Sequence, residues 1–581
     1  MSILSCTQSL AVTGSGGSGA ITVGNMLLQI AASSGLYGIM RRSVGPQIRG
    51  GESAALLRLS AQPVSGPDDR FDLLLAFDWL NADRFALEIP LDSASLIISD
   101  SAHSEIPDVI LQSGARVIQI PLQQMAADIS GGRVNMIGLG LLCALLELPS
   151  ELSRTVIRST LASKGEAAIE AALQSFDAGA RYETSFQLPC PALQGGTTAA
   201  RWNISGNEAC ALGALQGGVR FVAAYPITPA TDLLEWLAPR IEKIGGSLLQ
   251  AEDELASINM VIGASFGGVC SMTATSGPGL SLMAEGIGLA IASEIPLVVV
   301  NVTRGGPSTG IPTKSEQSDL NIALYGQHGD APHLVLAPQN ISDCIQTTRW
   351  AVQLAEILQT PAIVLSDQFL GQSRFVIPAP EPVVDSDSIA RLRQIQHSAS
   401  ATPYQRYLIN DSAISPMALP GTAGCSYTAD GLEHTCTGKP SSIATDHHDQ
   451  LDKRQHKLTR YAFGTQWAEV QGSGPIAILC WGSSSMAVLE AAERLQQSGQ
   501  PVKVIAIRLL APAQTAALER ELQDVSQLLV VEQSHSQQFY RYLRAHYALP
   551  AQVQVYAKPG PLAITPGQIC QALQALSGES I

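Results

Sequence analysis

The segment IPLVVVNVTRGGPSTG, residues 295–310, carries the clearest fold signal in this chain. Its first half is a nearly unbroken run of β-branched apolar residues, which is typical of a strand buried on both faces of a parallel sheet. Glycine-rich polar residues follow directly, and Arg304 is the first charged residue among them. Because ligands bind at the carboxyl ends of parallel strands, Arg304 is a candidate binding residue.

Similar apolar runs alternate with helical patterns on both sides of this segment. Towards the N-terminus, residues 72–78 and 115–121 have the pattern of buried strands. Towards the C-terminus, PIAILCWG, PVKVIAIRLLAP and QLLVVEQ alternate with two helical patterns. This alternation predicts an α/β fold made of three doubly wound, Rossmann-like domains, each with a parallel sheet.

We expect the three domains at residues 1–188, 205–376 and 458–581. A linker at 189–204 is rich in Gly, Pro and Thr, and an extended linker at 377–457 shows little periodicity. We expect the extended linker to wrap a neighbouring domain rather than to form its own domain. Its histidines favour a solvated loop over a metal site: His434, His447, His448 and His456.

Composition excludes several classes of protein. The 35 Lys and Arg against 50 Asp and Glu give a net charge of −15, which is unfavourable for nucleic-acid binding. Hydrophobic residues make up 46% and charged residues 15%, which excludes a disordered chain. The longest apolar run, residues 136–146, is short of the roughly 20 residues of a membrane-spanning helix. We therefore predict a cytoplasmic protein that binds neither membrane nor nucleic acid.

The ten cysteines form no local ligand set. No two of them are closer than the eleven positions between Cys425 and Cys436, so there is no CxxC motif. Neither a zinc ribbon nor a ferredoxin-type cluster run fits this spacing. We predict reduced, buried thiols and no metal site in this chain.

A glycine-rich loop, GSGGSG, connects the first predicted strand to the first helix. It places Gly14, Gly16, Gly17 and Gly19 at the spacing of a dinucleotide loop. A NAD site also needs an acidic residue about 20 positions later, and residues 36–42 contain none. Two interpretations stay open: a tight turn without ligand, or an anion cradle that Arg41, Arg42 and Arg49 would support with charge.

Three further segments place polar groups where a ligand could bind. The motif YPITPAT, residues 225–231, ends one strand and begins a helix, so the Thr228 hydroxyl and the helix N–H groups could hold a carboxylate or merely cap the helix. Arg304 follows another strand, should share a cleft with Thr228 and is a natural bidentate partner for a carboxylate. Lys314 could meet a second carboxylate or remain a solvated loop residue.

Three acidic residues, 252–254, open a helix rich in Gly and Ala. They could simply complement the helix dipole. However, the small residues that follow would allow a flat cofactor to approach the backbone, and a carboxylate beside it could hydrogen-bond a nitrogen heterocycle. Ser276 and Gly277 lie in this small-residue stretch.

Taken together, YPITPAT, EDELASINMVIGAS, TSGPGLSLMAEG and EIPLVVVNVTRGGPSTGIPTKSEQSDL resemble the alpha subunits of the 2-oxoacid:ferredoxin oxidoreductases. The preceding GSGGSGAITVGNMLLQIA, with residues 45–51, resembles the gamma subunit of that family, fused in front. The resemblance covers nearly the whole chain. The last alpha segment is most similar to the 2-oxoglutarate branch.

The resemblance implies a fold and a set of roles. The central domain would be a thiamine-diphosphate-binding fold of the pyrimidine type, and the last would be similar to the C-terminal domain of transketolase. Thr228 and Arg304 would bind the 2-oxoacid carboxylate, with Lys314 near the substrate. Glu254 would hydrogen-bond N1′ of the thiamine aminopyrimidine and so activate the cofactor, with Glu252 as the less favoured candidate. The remaining implied contacts are Tyr225, Pro226, Ile227, Ser276 and Gly277 for the cofactor, and Gly14, Gly16, Gly17, Gly19, Arg41 and Arg49 for coenzyme A.

The resemblance also implies a second chain. Residues 329–331 are the segment most similar to the GDG motif that holds Mg²⁺ and diphosphate, and they lack its second glycine. A beta subunit would therefore bring Mg²⁺, the diphosphate site and a [4Fe–4S] cluster. The implied assembly is a dimer of alpha–beta heterodimers that reduces ferredoxin. The implied reaction interconverts 2-oxoglutarate, coenzyme A and oxidised ferredoxin with succinyl-CoA, CO₂ and reduced ferredoxin. Three alternatives are the same chemistry on a pyruvate, branched-chain or aryl 2-oxoacid, a non-catalytic scaffold, and a NAD-dependent dehydrogenase, which the missing acid disfavours.

Overall fold

The computed structural model describes residues 7–45, 51–84, 86–103, 105–182, 193, 200–311, 314–380 and 404–577. Arg49, most of the predicted linker at 189–204 and the first part of the extended linker lie outside the described residues. The chain divides into two units. Unit one takes its residues from 1–205, 372–380 and 565–567, and unit two from 206–371, 381–564 and 568–581. The predicted division into three domains and two linkers stays a prediction.

The described residues form strands and helices along the whole chain. The strands are β1 (Thr7–Ser15), β2 (Tyr37–Val44), β3 (Glu52–Ser60), β4 (Leu73–Ala76), β5 (Leu96–Asp100), β6 (Arg116–Ile120), β7 (Arg201–Ser205), β8 (Phe221–Ala224), β9 (Ser247–Gln250), β10 (Ser271–Thr275), β11 (Leu297–Thr303), β12 (Leu334–Leu336), β13 (Pro361–Asp367), β14 (Arg374–Pro378), β15 (Ala468–Gln471), β16 (Ile476–Trp481), β17 (Lys503–Ile507), β18 (Leu509–Ala511), β19 (Gln527–Glu532) and β20 (Gln552–Ala557). The α-helices are α1 (Ala20–Ser33), α2 (Asp108–Leu111), α3 (Leu122–Ala127), α4 (Val134–Leu145), α5 (Ser150–Thr160), α6 (Glu166–Ala180), α7 (Gly206–Gly217), α8 (Thr231–Ile241), α9 (Glu254–Phe266), α10 (Gly277–Ala292), α11 (Leu320–Tyr325), α12 (Ile341–Leu358), α13 (Gln368–Gln372), α14 (Ala444–Thr459), α15 (Ser484–Gln497), α16 (Thr515–Leu522), α17 (Gln538–His546) and α18 (Pro566–Ser577).

Unit one contains an eight-stranded sheet in the order β6-β5-β4-β1-β3-β2-β14-β7. The half formed by β1, β4, β5 and β6 is parallel, as the βαβ pattern predicts. The other half is antiparallel, because β2 and β3 follow one another with a short connection and β14 and β7 pair beside them. Helices α1, α4 and α6 contribute to the apolar core on one face of this sheet.

Unit two contains two sheets. The first has the order β18-β12-β13-β11-β10-β8-β9 and is parallel except at β18. Strand β11, the segment with the clearest sequence signal, lies in its middle, and all seven of its residues are buried. The second has the order β15-β17-β16-β19-β20 and is parallel except at β15. The predicted α/β class with three sheets is confirmed, and the sheet of unit one is mixed where a parallel sheet was predicted.

Two local features differ from the sequence analysis. The single strand expected in PVKVIAIRLLAP is two strands, β17 and β18, and β18 pairs with β12 of the other sheet. The extended linker contains the helix α14, whose inward face includes Lys453, Arg454 and Lys457. Periodicity of apolar residues could not reveal this helix, because charged side chains occupy its buried face.

None of the helices among the described residues is long and apolar enough to cross a membrane.

Candidate functional site

Thr228 and Arg304 meet at the carboxyl ends of two parallel strands of unit two. Arg304 follows β11, and its Nη1 donates a hydrogen bond to the carbonyl oxygen of Thr228 at 2.7 Å. The next carbonyl, that of Pro229, accepts a hydrogen bond from Nδ2 of the buried Asn207 at 2.8 Å. The structure therefore brings the two predicted carboxylate-binding residues together and anchors the loop that carries Thr228, whose side chain is exposed.

Glu254 is the first residue of α9. Asp253 caps this helix by accepting a hydrogen bond from the Ala256 N–H at 2.7 Å. The Glu254 side chain is only 6% exposed, yet its carboxylate makes no hydrogen bond or ion pair with any residue that the structure describes. Glu252, by contrast, is exposed. Of the two candidates, Glu254 is thus the one whose buried carboxylate could accept a hydrogen bond from a ligand.

The first turn of α10 lies against Glu254. A Cβ atom on Gly279 would come within 2.7 Å of Glu254 Oε1, so glycine is what allows the carboxylate to sit there. Ser276, the residue that precedes α10, is fully buried, and its hydroxyl has no hydrogen-bond partner among the residues that the structure describes. Tyr225 is exposed, and Pro226 and Ile227 are half-buried, on the loop before Thr228.

A cavity of about 490 Å³ opens beside Arg304 in unit two. It lies at the carboxyl ends of β11 and β19 and at the N-terminal end of α10. Its lining includes Gly277, Arg304, Glu316, Asp319 and His535. The predicted substrate residue Lys314 is not among the lining residues, but its carbonyl oxygen accepts a hydrogen bond from the Gly305 N–H at 3.0 Å.

Two of the lining carboxyl groups have perturbed acidity. Burial raises the pKa of Asp319, against hydrogen bonds from Asn301 and Thr303 and the charge of Arg304, which lower it. Burial also raises the pKa of Glu316, against a backbone hydrogen bond from Gly560 and the charge of His535. Sequence reasoning missed both residues and His535. The available signal was their position, since each lies in or after a loop that follows a predicted strand.

In unit one, the glycine-rich loop uses most of its own amide groups. The Ser15 N–H donates to Asp78 Oδ2 at 2.8 Å, the Gly16 N–H to the Gly51 carbonyl and the Ser18 N–H to the Ser15 carbonyl at 2.9 Å. Gly17 and Gly19 have φ values of 102° and 88°, which explains their identity. The loop is therefore a braced turn, and few of its N–H groups are left for an anion.

A cavity of about 1400 Å³ adjoins this loop. Gly17, Ser18 and Asp78 line it, and its basic lining residues are His103, Arg133 and Lys164. Arg41 lies elsewhere, among Ser9, Leu56, Phe71 and their neighbours. The alternation of β2 explains this difference, because Met40 belongs to the core beneath α1 and Arg41 must face the other side of the sheet. The structure thus does not bring Arg41 to the loop.

The sequence is similar to two family models. Residues 212–454 match "Pyruvate flavodoxin/ferredoxin oxidoreductase, thiamine diP-bdg", and residues 9–182 match "Pyruvate ferredoxin/flavodoxin oxidoreductase". The 2-oxoglutarate synthase subunit KorA of Methanothermobacter marburgensis is 33% identical over 380 residues, which are 64% of this chain and 98% of that protein. The 2-oxoglutarate oxidoreductase subunit KorA of Mycobacterium tuberculosis is 35% identical over 397 residues, which are 65% of this chain and 59% of that protein.

One solved structure is similar over nearly the whole length. It is the 2-oxoglutarate:ferredoxin oxidoreductase from Magnetococcus marinus with 2-oxoglutarate, coenzyme A and succinyl-CoA bound. The match covers 98% of this chain and 99% of that chain, with 33% identity and a TM-score of 0.87. The predicted resemblance is confirmed: this chain belongs to the alpha subunits of the 2-oxoacid:ferredoxin oxidoreductase family.

Proposed function

We propose that this chain is the alpha subunit of a 2-oxoglutarate:ferredoxin oxidoreductase, which with a beta subunit forms succinyl-CoA, CO₂ and reduced ferredoxin from 2-oxoglutarate and coenzyme A. The observation that carries the proposal is the pairing of Thr228 with Arg304 in the unit that also holds the unpartnered carboxylate of Glu254. The relatives named for 2-oxoglutarate and the ligands of the Magnetococcus marinus structure support the choice of substrate.

The residues around Glu254 fit thiamine diphosphate. Among the described residues, the buried Glu254 carboxylate and the buried Ser276 hydroxyl have no hydrogen-bond partner, and Gly279 leaves room for that carboxylate. These features suit a flat ring with polar edges. When bound, thiamine diphosphate supplies the nucleophilic carbon and accepts the electrons released on decarboxylation. Tyr225, Pro226, Ile227 and Gly277 are the further contacts that we propose.

The proposed roles of this chain follow from its charges. Glu254 accepts a hydrogen bond from the aminopyrimidine N1′ and holds the proton at that nitrogen. Arg304 binds the 2-oxoacid carboxylate with a charge-assisted hydrogen bond, while Thr228 donates its hydroxyl. We place Lys314 on the substrate side of the same loop.

We propose that Mg²⁺, the diphosphate site and the [4Fe–4S] cluster belong to a beta subunit. Among the residues that the structure describes, no group of three or more His, Cys, Asp and Glu side chains could hold a metal ion. The exposed side of α9 offers a surface for the partner, because Leu255 is 50% exposed, Met260 is 39% exposed and Gly263 has open space above it. We propose that the beta subunit covers this surface, in a cytoplasmic dimer of alpha–beta heterodimers that reduces ferredoxin.

Replacing Met260 by arginine should weaken association with the beta subunit at least tenfold, because a charge would be buried in an apolar contact. Co-purification of the two chains, followed by light scattering, measures the effect. The matched control is Leu432→Arg, which changes an exposed apolar residue outside α9. Normal association of the Met260 variant would remove the α9 surface from the interface.

We further propose that unit one binds coenzyme A in the cavity beside the glycine-rich loop. Gly14, Gly16, Gly17 and Gly19 belong to a turn whose amides are largely hydrogen-bonded. Arg133 and Lys164, which line the same cavity, are therefore the better candidates to bind the phosphate groups of coenzyme A. The negative charge of Asp78 beside the loop also directs phosphate away from it. The predicted roles of Arg41 and Arg49 are not carried into this proposal.

Replacing Lys164 or Arg133 by alanine should raise the KM for coenzyme A about tenfold, since each change removes a charge-assisted hydrogen bond. The KM for the 2-oxoacid and kcat should stay near their wild-type values. Arg158→Ala, which removes an exposed arginine paired with Glu166 outside the cavity, is the control. Equal changes in all three variants would contradict the assignment.

The proposed function is tested by co-expression with the beta subunit and an assay of a 2-oxoacid panel with coenzyme A and a low-potential dye. We expect the highest kcat/KM with 2-oxoglutarate. A preference for pyruvate, a branched-chain or an aryl 2-oxoacid would establish the alternative substrate. A complex that forms but turns over none of them would establish a scaffold.

A further inference from the structure

Asp319 lies between the strand that carries Arg304 and the helix that contacts Glu254. It is 8% exposed and precedes α11. Its Oδ2 accepts a hydrogen bond from Asn301 Nδ2 at 2.8 Å, and the Thr303 hydroxyl also hydrogen-bonds the carboxylate. Both donors are buried residues of β11 on the same face of the strand. Asp319 therefore holds the two polar residues immediately before Arg304.

The other carboxylate oxygen packs against α10. A Cβ atom on Gly277 would lie 2.6 Å from Asp319 Oδ1, just as one on Gly279 would lie 2.7 Å from Glu254 Oε1. Both carboxylates therefore lie against the first turn of α10.

The loop between Arg304 and Asp319 is held on both sides. Ser318 Oγ donates to the Arg304 carbonyl at 3.1 Å, and the Gly305 N–H donates to the Lys314 carbonyl at 3.0 Å. Gln317 exchanges hydrogen bonds with the backbone of Gln533, each at 2.8 Å. Asp319 is the charged member of this framework, and it lines the same cavity as Arg304.

The guanidinium of Arg304 needs such support. Its Nη1 donates to the Thr228 carbonyl, but its buried Nε has no hydrogen-bond partner within the described part of the chain. Its direction therefore depends on the backbone at the end of β11 and on the charge nearby. Arg304 makes no ion pair shorter than 4.0 Å with another described residue, so Asp319 acts on it through Asn301 and Thr303 and across space.

We propose that Asp319 is a positioning residue for the 2-oxoacid: by fixing Asn301 and Thr303 at the end of β11, it aims the Arg304 guanidinium at the substrate carboxylate. The inference rests on the proposed function, because it takes Arg304 to be the carboxylate-binding residue. It adds a specific role for an acid that acts on the substrate through Arg304.

The test uses the complex with the beta subunit. Asp319→Ala should raise the KM for 2-oxoglutarate about tenfold, while kcat and the KM for coenzyme A change less than about threefold. Asp319→Asn keeps the shape and one acceptor oxygen, so its KM should return to within about threefold of wild type. In an Arg304→Lys background, Asp319→Ala should add little, because the residue being aimed has already been changed.

Thr303→Val provides a milder variant should Asp319→Ala fail to fold. It removes one donor to Asp319 and keeps the volume, and it should raise the same KM by about threefold. The control for general destabilisation is Asp343→Asn. Asp343 lies on α12, is also buried and pairs with Arg508.

Equal losses in kcat and in both KM values, or effects of Asp319→Ala and Arg304→Lys that simply multiply, would overturn the proposal. The same assays separate this failure from failure of the proposed function. If the wild-type complex turns over no 2-oxoacid, the proposed function is wrong. If the wild type is active and Asp319→Ala has a normal KM for 2-oxoglutarate, only the role of Asp319 is wrong.

Discussion

Replacing Glu254 by glutamine should lower kcat at least about 100-fold while the alpha–beta complex still assembles. The carboxylate is buried at the start of α9 and has no partner among the described residues, so its hydrogen-bonding capacity is available to the cofactor. Glutamine has the same size but cannot carry the negative charge that stabilises a proton on the opposing nitrogen. Positioned acid–base groups contribute about 10²–10⁴ in rate. Steady-state kinetics with saturating 2-oxoacid and coenzyme A measure the change.

Glu252→Gln is the matched control, since it changes an acid two positions earlier that is exposed. It should retain near wild-type kcat. Light scattering of both complexes checks assembly, and binding of thiamine diphosphate checks that the site remains intact. A Glu254→Gln complex with wild-type turnover would remove this residue from the mechanism.

Replacing Glu294 by glutamine should destabilise the chain by about 3–5 kcal/mol. Glu294 is fully buried, and its two oxygens pair with Lys453 Nζ at 2.5 Å and Lys457 Nζ at 2.9 Å. Arg406 donates to its backbone carbonyl at 2.8 Å. Removing the single negative charge would leave these buried cations without a counter-ion. The urea midpoint of the purified chain measures the loss.

The acidity of the cluster predicts how this stability depends on pH. Burial opposes ionisation of Glu294, but Lys457, Lys453 and Arg406 more than offset it, so the pKa of Glu294 lies well below its usual range. A carboxylate with a lowered pKa in the folded state contributes stability above its unfolded pKa and loses it as the pH falls. The wild type should therefore lose stability on acidification below about pH 4.5 more steeply than Glu294→Gln.

Glu433→Gln serves as the control for the Glu294 variant. Glu433 pairs at 2.8 Å with Arg454, which lies on α14 as Lys453 and Lys457 do. The Glu433 side chain is closer to the surface than that of Glu294. Its replacement should cost only about 1 kcal/mol, as expected for a partly exposed pair. A Glu294 variant no less stable than the Glu433 variant would show that the buried cluster does not hold α14 in place.

The sequence was most informative where one kind of residue has one structural use. Strand β11 is β-branched at all positions except Leu297 and Asn301, and a central parallel strand is buried on both faces. The meeting of Thr228 with Arg304 follows from the same rule, because both come after parallel strands and their carboxyl ends share one edge of the sheet. Periodicity and topology together therefore predicted this half of the site.

The sequence was least informative where a residue type has several uses. The glycine-rich loop matched an anion cradle, but its amides are taken by Asp78, Gly51 and Ser15. Asp78 and Gly51 are distant in the chain, and the hydrogen bond to Ser15 depends on the conformation of the turn. Lys453 and Lys457 are typical of a solvated surface, and only the position of Glu294, about 160 residues earlier, explains their burial.

The amino-acid sequence was thus sufficient for the α/β class, the family and the strand ends that carry Thr228 and Arg304, since these depend on local patterns and motifs. The tertiary structure was needed to show that Arg41 lies away from the glycine-rich loop, that Asp319 binds the end of β11 before Arg304, and that Glu294 pairs with α14. The last two are contacts between segments that are not adjacent in sequence, and the first follows from how β2 is placed in its sheet. All three depend on how sheets and loops pack, and no local pattern of residues records that packing.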